Sequence, residues 1–135
     1  MSEIKIQMRN PSLRHQKLVM ALLEHFKTKL GYTVFKASHN GYAEPDMHGR
    51  HEPDIVARDS KGVLHLGEAK VGDDIISETA KEQFLDFSNR IMTGTNTPVI
   101  FDIIVYKEDE PNLINRLNQL GLGGLIGSRI IIWTL

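Results

Sequence analysis

The chain has 135 residues, 41% of them hydrophobic, so its length and composition predict one folded domain over residues 1–135 with a real core. It has no cysteine, which excludes disulfides, thiolate metal sites and cysteine nucleophiles and favours a reducing compartment such as the cytoplasm. No stretch approaches the roughly 18 apolar residues that span a bilayer, and the first residues do not read as an export signal, so we expect no membrane partner.

The formal net charge of −1 is distributed unevenly along the chain. Residues 1–50 contain eight Lys or Arg against four Asp or Glu, whereas residues 51–135 contain eight against thirteen. A polyanion would approach the first segment more readily, and a divalent cation could be drawn to carboxylates in the second. The imbalance is small beside that of strongly basic nucleic-acid binders, so charge alone favours an ordinary solvated surface.

The chain opens with signals for a helix followed by a strand. Ser12 is a favourable helix cap, and the apolar residues after it recur at helical spacing until Gly31. Residues 32–37 are rich in β-branched and aromatic side chains, which favours a strand. Residues 38–52 form a polar segment with three histidines and two glycines. A connection of that length is more often functional or mobile than idle.

The middle of the sequence predicts a β-hairpin and a second helix. Residues 54–57 and 63–70 read as strands joined by a tight turn at residues 59–62. A helix is predicted over residues 77–92, with Ile91 on its apolar side and a glycine soon after its end.

The last third predicts a strand, a short helix and a final strand. Residues 99–106 are nearly continuously apolar, which is typical of a strand covered on both faces. Residues 111–120 suggest the helix, and residues 130–135 a strand that is either covered or part of a subunit contact. The resulting order, α-β-β-β-α-β-α-β, indicates an α/β fold with a mixed central sheet flanked by helices.

Three charged residues are predicted to meet at one end of the hairpin. Pro53 cannot donate to a strand ladder, so it belongs at a strand start and makes Asp54 the first strand residue. In an antiparallel hairpin the start of one strand lies opposite the end of the other, which puts Asp54 beside Glu68. Because residues two apart share a face of a strand, Glu68 and Lys70 point the same way.

This cluster has the chemistry of a metal-dependent phosphodiesterase. Two carboxylates held close repel each other unless a cation lies between them, and their hard oxygen ligands suit Mg²⁺ or Mn²⁺. The ion would polarise a phosphoryl oxygen, while Lys70 would orient an attacking water or help deprotonate it. The alternative is a surface salt-bridge cluster, since charges are common at strand ends.

The Pro-Asp pair at residues 53–54 and the Glu-Ala-Lys triplet at residues 68–70 resemble the motifs of the PD-(D/E)xK nuclease superfamily. That superfamily includes restriction endonucleases and archaeal-type Holliday junction resolvases. The resemblance implies that Asp54, Glu68 and the backbone carbonyl of Ala69 bind the metal, with the lysine of the triplet as a catalytic group.

The resemblance extends beyond the two motifs. The superfamily's restriction endonuclease-like αβββαβ core matches the order of elements over residues 12–106, which leaves a C-terminal helix and strand as additions. In several branches a glutamine on the following helix supports the site, and Gln83 matches it as a further catalytic candidate. A solvent-exposed position is the other interpretation of Gln83.

The resemblance implies an endonuclease that hydrolyses DNA phosphodiester bonds with Mg²⁺ or Mn²⁺, on branched or restriction-type substrates. Small members commonly act as homodimers, and the resolvase branch is the closest in size. Two alternatives stay open: a catalytically weak nuclease-like fold that serves as a nucleic-acid or protein interaction module, and a nuclease acting on RNA.

The first helix departs from the superfamily pattern, because many members place an acidic residue on its sheet-facing side. Glu24 projects roughly opposite the apolar stripe and is expected to face solvent. His15 falls on the apolar side, where it could contact substrate or metal or be a partly buried structural histidine.

Several basic and histidine side chains are candidates for contacts with phosphates or bases. These candidates are His15, Lys36, His39, Arg50 and His51. A zinc site formed by His39, His48 and His51 is the alternative for the loop, although the spacing is unusual and no cysteine accompanies them.

Overall fold

A computed structural model of the protein describes residues 12–37 and 51–135. The strands are Thr33–Ala37 (β1), Ile55–Arg58 (β2), Leu64–Ala69 (β3), Ile100–Val105 (β4) and Ile130–Thr134 (β5). The α-helices are Leu13–Glu24 (α1), Glu78–Ser88 (α2) and Glu110–Gln119 (α3), and a π-helical turn, His25–Lys29, continues α1. The predicted α/β class is confirmed, with its αβββαβ order followed by a C-terminal helix and strand.

The five strands form one mixed sheet in the order β1-β2-β3-β4-β5. The pairs β1–β2 and β2–β3 are antiparallel, whereas β3–β4 and β4–β5 are parallel. The start of β2 and the ends of β3, β4 and β5 therefore lie along the same edge of the sheet. In α/β sheets such an edge, outside the carboxyl ends of parallel strands, is where ligands commonly bind.

The helices cover both faces of the sheet. Helix α1 packs on one face, where its buried Leu18 and Leu22 meet strand residues such as Ile55. Helices α2 and α3 pack on the other, through a core that includes Phe84 of α2 and Leu113 of α3. Because apolar surface is buried on both faces, the ends of the strands are a favourable place for charged groups that need access to solvent.

Helix α1 begins where the sequence predicts it. The Ser12 hydroxyl accepts a hydrogen bond from the His15 N–H at 3.1 Å, which caps the helix. Where α1 crosses β3 the strand carries Gly67, and a Cβ there would lie only 3.1 Å from Leu22 Cδ2. The missing side chain lets the helix approach the sheet closely.

The predicted hairpin is confirmed, and its register places the site. Ile55 pairs with Gly67 and Arg58 with Leu64. Asp59 closes the turn, since its Oδ1 accepts hydrogen bonds from the backbone N–H groups of the loop at 2.9 and 3.0 Å. Asp54, the residue before Ile55, therefore lies opposite Glu68, the residue after Gly67.

Helix α2 ends at Ser88, so the prediction that it continues to residue 92 is wrong. The Asn89 side chain donates to the Leu85 carbonyl at 2.8 Å, and its own backbone has left the helical region. Ile91 then joins an antiparallel bridge instead of the helix and is 54% exposed. The apolar pattern at Ile91 belongs to this strand-like bridge with Pro98 and not to the helix.

The last two strands differ in how far they are covered. In β4 every residue from Phe101 to Val105 is buried, which confirms the prediction of a strand covered on both faces. β5 is the last strand of the sheet, with a neighbouring strand on one side only, and it is half-buried over residues 131–133. Across the two described ranges, no helix has the length and apolar character needed to cross a membrane.

Candidate active site

Asp54 lies immediately before β2 and contacts the end of β3. Its Oδ2 accepts a hydrogen bond from the Ala69 N–H at 2.9 Å, and its own N–H donates to Glu68 Oε1 at 3.3 Å. The hairpin register brings the two carboxylates together as the sequence predicts. Asp54 is partly accessible, with 15% of its side chain exposed.

Glu68 is a buried carboxylate, with only 3% of the residue exposed. Burial and the nearby charge of Asp54 raise the pKa of Glu68 to about 8, although the hydrogen bond and charge of Lys70 act in the opposite direction. Lys70 Nζ lies 3.1 Å from Glu68 Oε2. The predicted shared orientation of these two side chains is confirmed.

Gln83 joins the site from α2. It is buried, and its Oε1 accepts a hydrogen bond from Lys70 Nζ at 2.5 Å. It can reach the lysine because Ala80, Phe84 and Phe87 dock the same side of α2 on the sheet. The solvent-exposed interpretation of Gln83 is therefore wrong.

His15 reaches the site from the first turn of α1. Its Nε2 lies 3.2 Å from Asp54 Oδ2, and 19% of its side chain is exposed. Its other ring nitrogen, Nδ1, is buried and has no hydrogen-bond partner. Glu24 is exposed, as predicted, so α1 presents a histidine to the site instead of a carboxylate.

The donor set fits a hard divalent cation. Among the residues described, no group of three or more His, Asp or Glu side chains is arranged to hold a metal ion. Mg²⁺ needs fewer protein ligands, because it keeps several waters and commonly binds through one or two carboxylates together with substrate phosphates. Asp54 and Glu68 supply such a pair, since the Asp54 N–H lies 3.3 Å from Glu68 Oε1.

No protein-family model and no curated protein matches the sequence. One solved structure, described as an EndoMS–dsDNA2 complex, is similar over 93% of this chain, with 12% sequence identity and a TM-score of 0.43. This chain spans 47% of the length of that one. A likeness this distant carries no argument about activity.

Of the other predicted nucleic-acid contacts, Lys36 and His51 lie within the described residues. Lys36 lies in β1, where it pairs with Val56 of β2. His51 lies against α2, with Nδ1 3.3 Å from Asp86 Oδ2. His39, His48 and Arg50 fall outside the described residues, so their roles and the zinc alternative stay untested.

A second buried polar cluster was missed by the sequence analysis. His65 Nδ1 lies 2.6 Å from Asp102 Oδ2, and His65 Nε2 lies 3.0 Å from Asp59 Oδ2. The Trp133 indole N–H donates to Asp102 Oδ1 at 2.8 Å. The signal in the sequence was Asp102, an aspartate within the otherwise apolar strand β4, because a buried charge requires partners.

Charges in this cluster stabilise one another. Burial acts to lower the pKa of His65, but the hydrogen bonds and charges of Asp102 and Asp59 outweigh it and raise that pKa. Although burial opposes the change, the hydrogen bond from His65 helps to lower the pKa of Asp59. A protonated His65 can donate from both ring nitrogens, which satisfies the two carboxylates.

Proposed function

We propose that this chain is a divalent-cation-dependent nuclease that hydrolyses DNA phosphodiester bonds at the sheet edge containing Asp54, Glu68 and Lys70. The observation that carries the proposal is the contact of the buried Glu68 with both other residues: the Asp54 N–H at 3.3 Å and Lys70 Nζ at 3.1 Å. Two carboxylates and a lysine in one cluster have the composition expected for phosphoryl transfer to water.

Asp54 and Glu68, with the backbone carbonyl of Ala69, would hold Mg²⁺ or Mn²⁺. When bound, such an ion polarises the phosphoryl oxygen and makes a coordinated water more acidic. The remaining contribution comes from side chains that orient the reactants.

Lys70 has three N–H donors, and its contacts with Glu68 and Gln83 use two of them. The third can donate to the attacking water or to a phosphate oxygen. The ammonium charge offsets the negative charge that builds on the phosphate as the water oxygen bonds to phosphorus and the bond to the sugar oxygen breaks. Gln83 fixes the direction of the lysine and is a positioning residue.

DNA as substrate and a homodimer as the working form belong to the same proposal. They rest on the resemblance of residues 53–54 and 68–70 to the PD-(D/E)xK motifs. In that superfamily, a homodimer carries two active sites, one for each strand of the DNA.

A second candidate function is a binding module with the same fold and no catalysis. The observation that favours it is that Lys70 Nζ contacts both Glu68 and Gln83, so these buried polar groups satisfy one another. A buried pair of this kind can be retained for structure alone.

A substrate panel tests the two candidates. Supercoiled plasmid, branched DNA and single-stranded RNA are incubated with the protein in Mg²⁺, in Mn²⁺ and in EDTA. The proposed function predicts cation-dependent cutting of DNA in preference to RNA. Preferential cutting of RNA would replace the substrate class, and binding to DNA without cutting under any metal would favour the binding module.

A further inference from the structure

We infer that His15 is a positioning residue that holds Asp54 Oδ2 in place and leaves Oδ1 to face the cation. This inference rests on the proposed function. Its starting point is the 3.2 Å contact between His15 Nε2 and Asp54 Oδ2, which joins groups 39 residues apart in the chain.

Two donors converge on the same carboxylate oxygen. The Ala69 N–H donates to Asp54 Oδ2 at 2.9 Å, and His15 approaches the same atom. A carboxylate held through one oxygen by two donors has a fixed plane, so its second oxygen points in a defined direction. Fixing a ligand through neighbouring hydrogen bonds commonly raises metal affinity.

The direction of the hydrogen bond follows from its partner. An aspartate carboxylate only accepts, so His15 Nε2 is the donor to Asp54 Oδ2. The other ring nitrogen, Nδ1, is buried without a partner and takes no part in the contact.

Two hydrogen bonds hold the first turn of α1. Ser12 caps it by accepting from the His15 N–H at 3.1 Å. The Tyr106 hydroxyl, just beyond β4, donates to the Arg14 carbonyl at 2.9 Å. His15 is therefore positioned by the fold before any ligand arrives, as a positioning residue must be.

The experiment asks whether a donor at the Nε2 position is what matters. Glutamine carries an amide nitrogen at a similar distance along the side chain, asparagine is one bond too short, and leucine has no donor. Mn²⁺ binding to the intact protein is measured for His15→Gln, His15→Asn and His15→Leu by the magnetic resonance signal of free Mn²⁺. His25→Leu is the matched control, because His25 lies on the same helical segment and packs against Trp133 with the ring centroids 4.4 Å apart.

We expect His15→Leu and His15→Asn to weaken Mn²⁺ binding by about 10-fold or more, and His15→Gln and His25→Leu to stay within about 3-fold of wild type. Equal binding by all variants would overturn the inference and leave the proposed function standing. A loss in His15→Gln as large as in His15→Leu would also overturn it. If the wild type neither binds Mn²⁺ nor cuts DNA, the proposed function falls, and this inference falls with it.

Discussion

Gln83 Oε1 accepts a hydrogen bond from Lys70 Nζ at 2.5 Å, across the interface between α2 and the sheet. Through this contact, the position of α2 on the sheet determines where the ammonium group of Lys70 points. The packing of α2 on the sheet thereby acts on the proposed chemistry through the single amide of Gln83.

Replacing Gln83 with leucine keeps the volume of the side chain and removes the acceptor. Hydrogen bonds to charged groups are worth about 1.5–3 kcal/mol, so we expect a fall in kcat of about 10- to 100-fold with little change in KM. Single-turnover cleavage kinetics measure this, with the exposed Gln119→Leu as control. A change confined to KM would show that Gln83 binds substrate instead.

Mg²⁺ should raise the melting temperature of the wild-type protein, because a cation relieves the repulsion between Asp54 and Glu68. At a Mg²⁺ concentration 100 times the Kd, the gain is about 2.7 kcal/mol. For a chain of this size that is roughly 8 °C, reversed by EDTA. Glu68→Gln should abolish the shift, and the exposed Glu78→Gln should preserve it. An equal shift in Glu68→Gln would place the ion elsewhere.

His65 should make stability depend on pH. Its pKa is raised above the ordinary 6.5, so its stabilisation is fully present below about pH 6.5 and is lost as pH rises through the raised value. Asp102→Asn leaves one oxygen for two donors, His65 and Trp133, and breaks a buried charge pair. We expect it to cost about 3 kcal/mol at pH 6 and distinctly less at pH 9.

Urea unfolding of wild type and Asp102→Asn at both pH values measures this difference. Taking the difference between the two proteins cancels the titration of Glu68, whose raised pKa also affects stability in this range. A cost that is the same at pH 6 and pH 9 would show that His65 is not charged in the folded protein.

Gly67→Ala should destabilise the fold by pressing on α1. The new Cβ would lie 3.1 Å from Leu22 Cδ2 and 3.2 Å from Ile55 Cβ. Overpacking of this kind costs about 1–3 kcal/mol, more than the 0.4–1 kcal/mol or so that alanine gains through the unfolded state. Combining it with Leu22→Ala should cost less than the sum of the two changes, measured by urea unfolding. Strict additivity would mean that the helix does not make this close approach.

The sequence was sufficient to predict contacts that depend on local geometry. Pro53 marks the start of β2 and a tight turn fixes the hairpin register, so the meeting of Asp54 and Glu68 follows from residues only 14 apart. The predicted helix, by contrast, ran past Ser88 because apolar spacing does not distinguish the last turn of a helix from the strand-like turn after it.

Contacts between distant elements could not be predicted in the same way. Whether Gln83 is buried depends on how α2 is rotated on the sheet, which its sequence leaves ambiguous at the flank of the apolar stripe. The approach of His15 to Asp54 depends on where α1 crosses the sheet. The pairing of His65 with Asp102 depends on the order of strands, which joins residues 37 apart.

Cleavage of supercoiled plasmid by wild type, Asp54→Ala and Lys70→Ala tests the central claim most directly. The controls are Asp73→Ala, an exposed aspartate, and Lys81→Ala, a lysine on the outer side of α2. With Mg²⁺ or Mn²⁺, the account predicts that both site variants lose cutting by at least about 100-fold while both controls keep it. Site variants that remain folded and cut as fast as the wild type would contradict it.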